Sequence, residues 1–119
     1  MTPLASSLGG KCVARVSLAE LQEKGMIRVE HPPFDVLVVW TDGEAHAIED
    51  ACNHAGASLA EGWLEDKGCV VCPMHGYVFE LRTGKLLRPK GLCSDQRTYR
   101  AVIEGGEVAV YDDFSLVVK

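Results

Sequence analysis

A chain of 119 residues with 12 Lys and Arg against 17 Asp and Glu, a net charge of −5, 47% hydrophobic residues and a mean hydropathy of +0.04 has the balance of one globular domain. The acidic balance weighs against nucleic acid as a partner, because nucleic acid is held mainly through Lys and Arg neutralising phosphates. The longest apolar run, Val36-Leu37-Val38-Val39-Trp40, falls far short of the ~20 residues of a membrane-spanning helix. No basic segment precedes an apolar one in Met1 to Gly10, so no membrane partner and a cytoplasmic location are expected.

Residues 1–10 (MTPLASSLGG) read as a frayed tail ahead of one domain over 11–119. Lys11 to Val16 has a short strand-like alternation. Ser17, with Glu20 three residues on, opens a helix of one to two turns that ends at Gly25. Met26 to Glu30 resumes strand character until His31-Pro32-Pro33 breaks it, and Asp35 to Thr41 is a β-branched run. Asp42-Gly43 then makes a hairpin turn to Ala45–Ile48. Further strands are expected at Cys69–Val71 and Tyr77–Leu81, with a Thr83-Gly84 turn to Lys85–Arg88. A loop over Pro89–Asp95 leads to a last hairpin, Thr98–Ile103 and Glu107–Tyr111, across Glu104-Gly105-Gly106. Many short strands at near-regular spacing predict an all-β fold, an antiparallel sandwich or barrel.

Five cysteines (12, 52, 69, 72 and 93) and four histidines (31, 46, 54 and 75) carry the chemistry. An odd count without a secretory signal favours metal or redox use over a disulfide framework. The informative groups are Cys52-Asn53-His54 and, after 17 intervening residues, Cys72-Pro73-Met74-His75. Each half supplies one thiolate and one imidazole from a loop beside a strand, so two loops converging would present four soft ligands to one centre. Such a set fits zinc or an iron–sulfur cluster. Gly56 and Gly76, close behind the two histidines, permit the tight backbone approach that lets amides donate to a bound anion such as sulfide. Structural zinc sites, however, usually pair two Cys and then two His rather than mixing them.

The C-x-H and C-x-x-H halves resemble the Rieske family, and Cys72-Pro73-Met74-His75-Gly76-Tyr77-Val78-Phe79 with Arg82-Thr83-Gly84 is similar to the second cluster loop of soluble Rieske-type ferredoxins. The resemblance runs over about Lys11 to Tyr111. It implies a Rieske-like antiparallel β sandwich or barrel with a small cluster-binding subdomain of two loops within residues 50–92. It further implies one [2Fe–2S] cluster, with Cys52 and Cys72 on the inner iron and His54 and His75 on the outer, more exposed iron. High-potential relatives carry an extra Cys in each loop, joined as a disulfide, where Ala57 and Met74 stand here; they also place a Ser and a Tyr hydroxyl near the cluster where this chain has Tyr77 and Phe79, and Phe79 can donate nothing. The expected role is a low-potential one-electron carrier, not catalytic alone. It would take electrons from a flavin-dependent reductase and pass them to a terminal oxygenase or other redox acceptor. The alternative is a Rieske-like small electron-transfer subunit of a larger enzyme such as assimilatory nitrite reductase.

Remaining candidates have blander readings. Cys69 on a strand is expected in the core, Cys12 and Cys93 as packed or exposed thiols, and His31 and His46 as isolated surface or packed residues. Trp40 and Trp63 are expected as core or cluster-cover residues, and Pro89 in a loop over the cluster. Asp42 to Asp66 holds seven acids and no base, whereas Arg82 to Arg100 holds six bases and one acid. The two stretches read as solvated faces or as complementary docking charges.

Overall fold

The computed structural model describes residues 11–31, 35–52, 56–65, 68–74, 76–88 and 95–112. In chain order these form β1 (Lys11–Ser17), α1 (Leu18–Lys24), β2 (Met26–Val29), β3 (Val36–Thr41), β4 (Glu44–Glu49) and a 3-10 turn at Leu59–Glu61. Then follow β5 (Trp63–Glu65), β6 (Cys69–Val71), β7 (Val78–Glu80), β8 (Leu86–Arg88), β9 (Thr98–Glu104) and β10 (Glu107–Asp112). Ser17 caps α1, its Oγ accepting from the Glu20 N–H at 3.2 Å, and Gly25 closes it at φ 82°. At seven residues α1 is far too short to cross a membrane, and no helix among the described residues is long and apolar enough to do so.

All strand pairs are antiparallel and form two sheets, β1-β10-β9-β4-β3-β2 and β5-β6-β7-β8. The all-β expectation is borne out. Asp42-Gly43 makes the two-residue turn with both φ positive, 54° and 74°, that strand twist favours between β3 and β4. The continuous apolar run finds its cause in β3, which is buried on both faces. Val36 and Val38 enter a core with Leu21, Ala47, Tyr99, Val108 and Val110, while Leu37 and Val39 enter a second core with Ile48, Leu59, Val70, Phe79, Leu81 and Leu86. The second core is the interface of the two sheets, and Cys52 and Cys72 belong to it.

Strand β5 was not visible in the sequence, because a three-residue strand with only Leu64 facing the core shows no period. Trp63 departs from its expected core role: it is 50% exposed on that edge strand, since β6 lies on one side of it only. Cys69 is buried as expected, packed with Val71, Val78 and Leu87 on the outer face of the small sheet. The stretch 89–94, with Pro89 and Cys93, lies outside the described residues.

Candidate metal centre

Cys52 and Cys72 head two loops with one hydrogen-bond frame. In the first, the Cys52 N–H donates to the Ala57 carbonyl at 2.7 Å and the Gly56 N–H donates back to the Cys52 carbonyl at 2.6 Å. In the second, the Cys72 N–H donates to the Tyr77 carbonyl at 2.8 Å and the Gly76 N–H to the Cys72 carbonyl at 3.0 Å. Each loop is closed by an antiparallel pair one residue outside it, Ala51 with Ser58 and Val71 with Val78. The left-handed residue falls at the same place in both, Gly56 at φ 74° and Gly76 at φ 73°, which explains the need for glycine there. His54 and His75 lie outside the described residues.

The loops also converge. Ala57 and Ser58 of the first and Pro73 and Met74 of the second line one open cleft with Glu61, and Met74 is 49% exposed. Both thiols are buried, Cys52 at 1% and Cys72 at 0% exposure, and none of Cys12, Cys52, Cys69 and Cys72 is in a disulfide. Two buried sulfur donors at the heads of matched, converging loops fit the cysteine half of a cluster ligand set. His46 belongs elsewhere: it packs on β4 with its Nε2 3.5 Å from Glu44, and burial pushes its pKa below the usual value while Glu44 pulls it up. Among the described residues no group of three or more His, Cys, Asp or Glu side chains is set to hold a metal ion, so His46 with Asp42 and Glu44 makes no second centre.

Two buried polar side chains that the sequence did not mark hold the first loop. Asp50, 2% exposed, accepts from the Ser58 hydroxyl at 2.6 Å and from the Ala60 N–H at 2.9 Å, while its carbonyl accepts from the Leu59 N–H at 2.8 Å. Arg28 places Nε 3.5 Å from the Asp50 carboxylate and Nη2 2.7 Å from that of Asp35. That hydrogen bond holds the Asp35 carboxyl below the usual carboxylate range. The Gln96 side-chain amide donates to the Glu49 carbonyl at 2.8 Å and to the Ala51 carbonyl, tying the strand that leads to Cys52 onto the start of β9. No pattern in the sequence signals a buried Asp or Gln; for Asp50 the only clue is its place two residues before Cys52.

The opposed charge runs are partly spent on each other. Arg82 Nη2 lies 2.8 Å from Glu44 and Arg88 Nη2 3.0 Å from Glu65, so two bases of the second stretch pair with acids of the first. Arg97 pairs with Asp112 at 2.6 Å, and Arg100 stacks over the Tyr111 ring at 4.6 Å. Three of the six bases of the second stretch are thus ion-paired, two of them with acids of the first.

The family described as the Rieske [2Fe-2S] domain matches residues 11–112. The chain is 38% identical over 94 residues to the 3-phenylpropionate/cinnamic acid dioxygenase ferredoxin subunit of Photorhabdus laumondii, covering 79% of this chain and 88% of that one. The ferredoxin of carbazole 1,9a-dioxygenase from Nocardioides aromaticivorans superposes with a TM-score of 0.74 at 26% identity, over 85% of this chain and 97% of that one. A ferredoxin bound to the reduced oxygenase of carbazole 1,9a-dioxygenase superposes with a TM-score of 0.72 at 27% identity, over 87% and 93% of the two chains.

Proposed function

This chain belongs to the Rieske [2Fe–2S] domain family and carries one [2Fe–2S] cluster, and from that premise we propose that it is the ferredoxin component of an aromatic-ring oxygenase system. It takes electrons singly from a flavin-dependent reductase and delivers them to the terminal oxygenase, catalysing nothing by itself. Cys52, His54, Cys72 and His75 are the ligands in this reading, held by the two loops within residues 50–92 of a domain over 11–119, with 1–10 as a tail. The cytoplasm is its place of work.

The observation that carries the reading is the matched pair of cysteine loops, with both thiols buried and both loop ends on one cleft. The cluster supplies a one-electron couple whose two neutral imidazoles leave it less negative than an all-Cys cluster, which eases reduction. The chain's own residues bury the sulfurs and hold the loops by backbone hydrogen bonds and by Asp50. The 38% identity to a dioxygenase ferredoxin subunit supports an oxygenase partner over the nitrite reductase alternative.

The purified chain is expected to be red-brown, with about two irons and two acid-labile sulfides. It should accept one electron and pass it to an oxygenase of this class. Cys52→Ser and Cys72→Ser should each abolish the cluster. One zinc and no sulfide in the wild type would end this reading.

A further inference from the structure

We propose that Arg28 sets the reduction potential of the cluster through Asp50, the buried carboxylate that shapes the first cysteine loop, an inference that rests on the reading of Cys52 as a ligand. Asp50 stands two residues before Cys52, and its two oxygens accept from Ser58 and Ala60 on the returning limb of that loop. Asn offers one acceptor and an amide donor in place of two acceptors, so the loop's shape calls for a carboxylate here. The shape therefore brings a negative charge, 2% exposed, to the root of the cluster loop.

A buried charge is costly unless matched, and Arg28 supplies the match with its Nε 3.5 Å from Asp50. Arg28 is itself held by Asp35, whose carboxylate accepts from that same Nε at 2.9 Å and lies 2.7 Å from Nη2, and whose carbonyl accepts from the Asp50 N–H at 2.9 Å. The guanidinium is 47% exposed, so it reaches the buried anion from the surface. Reduction adds a negative charge to the cluster. An uncompensated Asp50 opposes that charge and the neighbouring cation offsets the opposition, most strongly where water is excluded. Arg28 is thus a positioning residue with an electrostatic reach: it touches the carboxylate and acts on the cluster through it.

The test compares the holoprotein with Arg28→Gln, Arg28→Lys and Asp35→Asn by voltammetry at low and high salt, with iron content and the electron paramagnetic resonance spectrum of the reduced cluster as controls. Arg28→Gln should shift the potential negative at unchanged iron content and spectrum, and the shift should shrink at high salt because Arg28 is exposed. Arg28→Lys, which keeps the charge, should restore the wild-type value. Asp35→Asn, which removes one of the two anions that Arg28 faces, should shift it positive. An Arg28→Gln potential equal to or above wild type, or an Arg28→Lys shift as large as that of Arg28→Gln, would overturn the inference. Should Arg28→Gln take up no iron, Asp35→Asn decides: a positive shift supports the inference, and no shift or a negative one sinks it. A wild-type chain without iron and sulfide is a different failure, that of the ligand reading itself.

Discussion

Gly62 lies directly against the carbonyl of Val71: a Cβ at position 62 would stand 1.8 Å from the Val71 oxygen and 3.2 Å from Cδ of Pro73. The chain leaving the first cysteine loop passes beneath the residue that precedes Cys72, so the two loops share a root as well as a cleft. Gly62→Ala forces that carbonyl to move, since backbone cannot swing aside as a side chain does. The expected cost is about 1–3 kcal/mol or more, together with weakened cluster retention. Thermal melting and iron content of the variant check this, and a wild-type melting temperature would contradict so close an approach.

Much of this architecture was legible in the sequence, and what was legible had a period or a turn signature. Asp42-Gly43 announced its hairpin, Ser17 and Gly25 bracketed α1, and Cys52 and Cys72 stood out as the heads of two half-motifs. The residues that hold the loops in place carried no such mark. Asp50, Gln96 and Gly62 act through contacts with groups on other limbs or neighbouring strands, and only the folded chain shows which groups each one meets. The same holds for the opposed charge runs, where sequence shows sign and structure shows the partner.

The pairing of Arg88 with Glu65 makes a charge-exchange test decisive. Arg88→Glu sets two carboxylates face to face across the small sheet and makes the chain more acidic, and it should slow electron transfer to the oxygenase. Arg88→Glu combined with Glu65→Arg restores the pair and the net charge, and should return the rate to that of the wild type. Both side chains are exposed, at 65% and 40%, so folding stability should change by less than about 1 kcal/mol in either protein. A rate that stays slow in the exchanged protein would show that the partner reads Arg88 itself.

His46 gives the fold a pH dependence separate from the cluster. Burial lowers its pKa from 6.5, Glu44 and Asp42 oppose that shift, and Arg82 adds to it. Below pH 6.5 the unfolded chain binds a proton that the folded chain resists, so this stability is complete above that pH. It falls as pH drops towards the lowered pKa of the folded state and changes no further below it. In His46→Gln the slope across that window should flatten while the cluster spectrum stays unchanged. Urea midpoints measured from about pH 5 to about pH 7.5 check this, and an identical slope in the variant would assign the window to another group.

The reduction potential tests the subtype. Histidine ligation lifts Rieske centres above all-Cys clusters, to roughly −150 to +300 mV according to hydrogen bonds to sulfur and solvent exposure. Donors to the sulfurs stabilise the more negative reduced cluster and so raise the potential. Here Phe79 is buried at 0% exposure in the core between the sheets and donates nothing, while Ala57 and Met74 occupy the positions at which high-potential relatives carry their disulfide. The potential should therefore fall in the lowest third of that range. His54→Cys, if it keeps a cluster, should lower it further, because a thiolate returns the negative charge that imidazole removed. Voltammetry of the wild type and of His54→Cys measures both values, and a wild-type potential well above zero millivolts would place donors at the sulfurs that Phe79, Ala57 and Met74 do not supply and would remove the chain from the low-potential ferredoxins.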